Sequence, residues 1–397
     1  MDIYSVYITH AQRTAISNFG GSFLPLSPGD LGGKCLKTIV DKNPFLKDQT
    51  DFVICGNVLS AGHGQNIARQ VAINAGINET VPSFSINQVC GSGMQAIILG
   101  LNYIQSGNAD IVIAGGVESM SQAAHCVPKH RWGNKMGHTT FVDTMISDGL
   151  WDAFNDYHMG VTAENVVKKY NITRQAQDEF AYNSHIKAAL ARQEGVFNSE
   201  IIPITVVQKK NSIVVDKDEF IRPDINLDKL SNLRPVFDQD GSVTAGNSSG
   251  LNDGAAFVVL MSEKKAKELN LDTQVECVSS SSVGNDPKLM GVAPIASIEK
   301  LMARSKLNID DIDLFEINEA FSAQAVAVQN ELGILSDKLN VAGGAIALGH
   351  PIGASGARIV VTLVHHLKRL NKELGVASLC VGGGQATSLL IKNNEGE

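Results

Sequence analysis

The sequence predicts an α/β protein made of two similar halves with a dissimilar segment between them. Three observations carry that expectation. Strand and helix signals alternate through the first 120 residues as in βαβ units. The same order of elements returns between Cys277 and Lys392. Glycine, at 37 of 397 residues, exceeds the usual ~7% without a collagen period, so many backbone positions must be close-packed or left-handed.

In the first half, Tyr4–Ile8, Phe52–Val58, Ser83–Val89 and Ile111–Ala114 read as strands. Leu31–Val40, Ile67–Ala75 and the apolar stretch Gly93–Gln105 read as helices, the last two ended by Gly76 and Gly107. In the second half, Val275–Val278, Leu314–Ile317, Asn340–Ala342, Val376–Cys380 and Ser388–Ile391 read as strands. Ile298–Ala303, Ser322–Glu331 and Ala357–Leu370 read as helices. Residues 67–77 lie over 323–334, and Ser92-Gly93 lies over Ser355-Gly356, each pair opening the long helix of its half. Matching order with matching helix starts is the mark of an internal repeat.

Residues 122–249 break the pattern. They hold both tryptophans, Trp132 and Trp151, a polar helix from Thr173 to Gln193 with Thr173 as N-cap, and a hairpin from Ile201 to Val215 turning at Lys209–Ser212. The expected domains are 1–121 with 250–271, an inserted 122–249, and 272–397. The strand Gly254–Met261 returns to the first half's sheet.

Composition narrows the function classes. A charged fraction of 19% beside 44% hydrophobic residues excludes a disordered chain. The net charge of −8 argues against non-specific nucleic-acid binding, which needs a basic face. No segment approaches the ~20 apolar residues of a membrane span, and the first residues, with Asp2, lack signal-peptide character. A cytoplasmic location is the expectation. The six cysteines show neither C-x-x-C pairs nor zinc-ligand spacing, so no metal site is expected.

Four segments can carry chemistry. Cys90, in Asn87-Gln88-Val89-Cys90-Gly91-Ser92-Gly93, joins a strand to a helix N-terminus, where free N–H groups and the helix dipole lower a thiol's pKa. A cysteine at a strand end is also an ordinary small apolar residue. His350 stands between glycine turns in Gly349-His350-Pro351, at the place in the second half that the Cys90 loop has in the first. A Cys–His pair follows naturally if the halves face each other. Cys380-Val381-Gly382-Gly383-Gly384 ends a strand with glycines whose N–H groups can approach a ligand oxygen, as an oxyanion hole requires. Asn318-Glu319 ends a buried strand, where α/β folds place their chemistry, or caps the helix after it.

These segments, in this order, make the sequence similar to the thiolase family over essentially its whole length, nearest to the acetyl-CoA acetyltransferase (acetoacetyl-CoA) branch. The resemblance implies a duplicated five-layer α/β/α/β/α core with an inserted loop domain, and a homotetramer formed as a dimer of dimers. It implies reversible Claisen condensation of two acetyl-CoA molecules to acetoacetyl-CoA and CoA, with CoA thioesters as substrates and no cofactor. Cys90 would carry the acetyl group, and His350 would take its proton. His350, with a water held by Asn318, would stabilise the second thioester's enolate. Cys380 would move the α-proton, and the N–H groups of Cys90 and Gly382 would hold the acyl oxyanion. Leu150, His158, Met159, Arg222, Phe237, Ser249 and Phe321 would contact the acyl group or coenzyme A. Lys129, Arg131 and Lys135 would lie in an oligomerisation loop, or equally in an ordinary solvated one. Many relatives carry Gly where this chain has Ala293 before Pro294, which loosens the expected shape of that wall.

Two other readings compete. A 3-ketoacyl-CoA thiolase of broader chain length is the nearer one. A serine hydrolase using Ser248 is remote, because Gly246-Asn247-Ser248-Ser249-Gly250 fits G-x-S-x-G but lacks a helix start after it.

Overall fold

The apolar runs assemble into one mixed sheet, described by a computed structural model for residues 5–208, 211–271 and 273–394. The expectations that fall on Asp2, Tyr4, Lys209 and Lys210 and on Glu395–Glu397 lie outside those residues. The first half holds β1 (Val6–Thr14), β2 (Phe52–Gly56), β3 (Ser83–Ile86), β4 (Ile111–Ser119) and β5 (Asn252–Ser262), in the spatial order β3-β2-β4-β5-β1. The second holds β6 (Val275–Gly284), β7 (Leu314–Ile317), β8 (Leu374–Val381) and β9 (Gln385–Asn393), in the order β7-β8-β9-β6. Pairing senses agree strand for strand. β2 is parallel to β4 as β7 is to β8, and β5 and β9 are antiparallel to both of their neighbours. The halves meet where β1 runs antiparallel to β6 with Tyr7 opposite Glu276. Read outward from that line, the two strand orders correspond.

The longer helices are α1 (Pro28–Lys42), α2 (Ile67–Asn74), α3 (Ser92–Gln105), α4 (Met159–Tyr170), α5 (Arg174–Gln193), α6 (Ala293–Ser305), α7 (Ser322–Leu332) and α8 (Ile352–Leu370). α3 and α8 pack on strands of both halves, and their apolar faces share one core with β4, β5, β8 and β9. A second core lies under α1 and α2, a third under α6 and α7. The two halves of the sheet therefore form separate layers, in the order helix, half-sheet, helix, half-sheet, helix. The central helices are buried on nearly every side, which explains why both read as almost continuously apolar. Among the described residues, no helix is long and apolar enough to cross a membrane.

Two expectations need correction. Asn340–Ala342 is not a strand. Only Leu339 bridges Phe315, and Asn340 turns left-handed (φ 44°). Its side chain takes the place of a neighbouring strand, accepting from Ile317 N (2.9 Å) and donating to Ile317 O (2.9 Å). Second, α8 begins at Ile352 rather than Ala357, so Ser355 sits inside its first turn while Ser92 opens α3. Pro351 is the cause, since a proline just before the helix leaves no lost hydrogen bond.

Residues 122–249 contain α4, α5 with its Thr173 cap accepting from Ala176 N, and a hairpin of Ile204–Gln208 with Asn211–Val215. They leave and rejoin the first half side by side. Ser121 N donates to Asp253 (2.9 Å), and β5 then pairs with β4 from Asp253 opposite Ser119.

Candidate active site

Cys90 lies in the tight turn between β3 and α3. Val89 has φ 46°, a conformation that costs a β-branched residue about 1–3 kcal/mol. The turn is locked by Ser92, whose hydroxyl accepts from Gln88 N (2.8 Å) and donates to Val89 O (2.6 Å). The glycine turn between β8 and β9 packs directly on it. A Cβ on Gly382 would stand 3.1 Å from Val89, and one on Gly91 2.8 Å from Val381. Gly383 and Gly384, at φ 84° and 78°, reverse the chain in a conformation that side-chain-bearing residues rarely adopt.

The Cys90 sulfur receives hydrogen bonds from the N–H groups of Gly382 and of Cys90 itself. These favour the thiolate, but burial outweighs them and, with the Glu118 carboxylate, pushes the thiol up to about 11. The expected lowering of its pKa is therefore corrected. Helix-end donors are present, yet the thiol is neutral at rest and needs a base.

His350 is positioned to be that base. Its backbone N–H is held by Asn252 (2.9 Å), and its Nδ1 lies 2.6 Å from Ser355 Oγ. Burial, aided by the Arg358 guanidinium, pulls its pKa down to about 3, so the ring is neutral near pH 7. Cys380, at the end of β8, is fully buried, and desolvation together with neighbouring Cys90 raises its thiol above the ordinary range.

Cys90, His350, Cys380 and Gly382 meet in one cavity of about 390 Å³. Leu150, His158, Met159, Phe237, Ser249 and Phe321 also line it, as does Arg222. The walls are mainly apolar, and their geometry is tight. The His158 ring stacks on Phe237 (4.7 Å, 18°), which meets Phe321 edge-on (6.2 Å, 87°). His158 caps α4 by accepting from Gly160 N (3.0 Å), and burial lowers its pKa. The exposed Arg222 guanidinium lies over Phe220, 5.0 Å from the ring centroid, while buried His185 anchors the Arg222 backbone N–H (3.1 Å). A cation at the mouth and an apolar throat suit an extended ligand with a charged outer end.

Asn318 does not line the cavity. It is buried behind the imidazole, with Nδ2 3.5 Å from His350 Nδ1. Ser248 does line it, but its hydroxyl donates to Thr244 O (2.7 Å) and its segment enters a strand, so the nucleophile elbow of a hydrolase is absent.

Sequence reasoning missed Glu118, at the end of β4. Its carboxylate accepts from Asn57 Nδ2 (2.9 Å), Val58 N (3.1 Å), Leu59 N (3.1 Å) and Gly353 N (2.9 Å), tying the first half to the start of α8. An acid closing a wholly apolar strand is the signal that could have found it. Met120 and Met290 also line the cavity, and neither stands out in sequence.

The family profile described as Thiolase, N-terminal domain matches residues 6–264, and that described as Thiolase, C-terminal domain matches 271–393. A probable acetyl-CoA acyltransferase of Staphylococcus aureus (strain NCTC 8325 / PS 47) is 51% identical over 387 residues, 97% of this chain and 98% of that one. A crystal structure of the Bacillus anthracis acetyl-CoA acetyltransferase superposes with a TM-score of 0.96 at 44% identity, covering 98% of this chain and 99% of that one. With both profiles spanning nearly the whole chain, and with the two halves, the cavity and its two thiols in place, this protein belongs to the thiolase family and is an acyltransferase enzyme.

Proposed function

We propose that the protein is an acetyl-CoA C-acetyltransferase that condenses two acetyl-CoA to acetoacetyl-CoA and CoA, and runs the reverse thiolysis. His350 takes the Cys90 proton, and the thiolate attacks the acetyl carbon. The N–H groups of Cys90 and Gly382 receive the oxyanion, and the CoA thiolate leaves with the proton of the Cys380 thiol, so that Cys380 becomes a thiolate while the imidazolium keeps its proton. One such donor is worth roughly 10²–10³ in rate. The acetyl thioester so formed is then attacked at its carbonyl by the α-carbon of the second acetyl-CoA, whose proton the Cys380 thiolate removes and whose enolate oxygen accepts from the His350 imidazolium, backed by Asn318. The Cys90 thiolate leaves and recovers its proton from His350. In thiolysis the Cys380 thiol returns that proton to carbon, a role suited by its raised pKa.

The observation that carries the reading is the convergence of two thiols and a neutral imidazole, from three loops, on one apolar cavity. The short-chain preference is supported by the apolar side chains of Leu150, Met159, Met290, Phe237 and Phe321 that line a cavity of only about 390 Å³. The inserted residues 122–249 supply His158, Met159, Arg222 and Phe237 to the CoA side. A cytoplasmic homotetramer completes the proposal. Its association surface is the stretch around Lys129, Arg131 and Lys135, where Trp132 and Met136 are exposed.

Brief incubation with acetyl-CoA followed by peptide mass spectrometry tests the reaction. An acetyl group on Cys90 is expected, and no adduct on any cysteine would defeat it. Broader chain length is the second reading. Faster thiolysis of 3-ketohexadecanoyl-CoA than of acetoacetyl-CoA would favour it.

A further inference from the structure

The Ser355 hydroxyl, one turn into α8 and 1% exposed, makes two close contacts. Its oxygen is 2.6 Å from His350 Nδ1 and 3.0 Å from the carbonyl oxygen of Pro351. A hydroxyl has one hydrogen, and a carbonyl can only accept. If that hydrogen pointed at Nδ1, two oxygen lone pairs would face each other at 3.0 Å, and Asn318 Nδ2, 3.5 Å from Nδ1, would compete for the same single lone pair. If the hydrogen goes to Pro351 O, Nδ1 carries a proton and donates it to Ser355, and both contacts become hydrogen bonds.

Asn318 agrees with the second arrangement. Its Oδ1 is buried without a partner among the described residues. A half-turn of the amide turns Oδ1 toward Nδ1–H and removes the opposition of two donors.

We propose that Ser355 is a positioning residue that fixes the tautomer of His350, placing the proton on Nδ1 and leaving Nε2 bare as the proton acceptor. It rests on the reading of His350 as the base, and it touches neither substrate nor the reacting atoms. Its influence runs through the ring, as a partner on the far nitrogen selects which nitrogen can act. Burial first, and then the charge of Arg358, keep the ring neutral.

The test uses full-length wild type, Ser355→Ala and Ser355→Thr with ¹⁵N-labelled histidine, the His350 signals being assigned with His350→Asn. Wild type is expected to show protonated Nδ1 and unprotonated Nε2, Ser355→Ala a mixture, and Ser355→Thr the wild-type pattern. In acetoacetyl-CoA thiolysis, Ser355→Ala should lose roughly tenfold to a hundredfold in kcat with KM within about twofold, and Ser355→Thr should restore most of it. An unprotonated Nδ1 in wild type would overturn the proposal. So would a folded Ser355→Ala enzyme with wild-type kcat, or equal losses in Ala and Thr variants that both melt like wild type. The ring spectra report the tautomer whether or not acetyl-CoA labels Cys90, so failure here is distinct from failure of the proposed reaction.

Discussion

Gly93 and Gly356 occupy matching places in the two halves and face each other where α3 and α8 cross. A Cβ on Gly93 would stand 2.8 Å from Ala357 N, and one on Gly356 2.5 Å from Met94 N. The crossing sits directly behind Cys90 and His350, three residues before Gly93 and six before Gly356. The repeat and the site therefore share one contact, and the closeness of the helices sets the separation of thiol and imidazole.

Gly356→Ala is expected to force that crossing apart. Overpacking a tight core costs about 1–3 kcal/mol, so thermal unfolding should shift down by several degrees and acetylation of Cys90 should slow by at least about tenfold. Wild-type rates in a variant that still folds would show that the crossing does not set the catalytic spacing.

Gly160→Ala tests the substrate wall. The added Cβ falls within the Phe237 ring and must break the stack of His158 on Phe237. The expected result is a KM for acetoacetyl-CoA raised by about tenfold, with Cys90 still titratable by a thiol reagent. Unchanged KM would remove the stack from substrate binding.

Cys380→Ser separates the two half-reactions. Cys90 should still accept acetyl from acetyl-CoA at near wild-type extent, while condensation and thiolysis fall by roughly 10²-fold or more. Loss of the acetyl-enzyme in a folded variant would contradict the division of labour between the two thiols.

His366 gives a pH test away from the cavity. Burial holds its pKa down to about 4, the Arg369 and Arg358 guanidiniums and neighbouring His365 adding to the effect against the attraction of Glu200. A histidine lowered in the fold contributes stability above its unfolded pKa of ~6.5, lost as pH falls toward the folded value. His366→Gln removes that loss. Between pH 7 and pH 5 its stability relative to wild type should rise by about 1–2 kcal/mol, as read by chemical unfolding at the two pH values. A relative stability that falls instead would mean that His366 is charged in the fold.

Much of this was legible in the chain. The duplicated order of strands and helices, the apolar central helices and the Cys90, His350 and Cys380 loops all come from local patterns, because strand ends, helix starts and glycine turns are written in neighbouring residues. The strand expected at 340–342 failed because a left-handed Asn340 uses its side chain in place of a strand, which no local pattern announces.

The sequence by itself determined the two-fold plan, the segment between the halves and the candidate thiols and imidazole that meet in one cavity. Only the tertiary structure decided their protonation. A helix end lowers a thiol's pKa in water, but Cys90 lies in a site assembled from both halves and the insertion, where desolvation outweighs the amide donors. The same assembly decided that Asn318 stands behind His350, that Glu118, outside the motifs read from the sequence, holds the Gly353 N–H, and that the Ser355 hydroxyl lies against the His350 ring. Burial and close contact depend on what the rest of the chain brings to a residue, and that is fixed only when the halves close on each other.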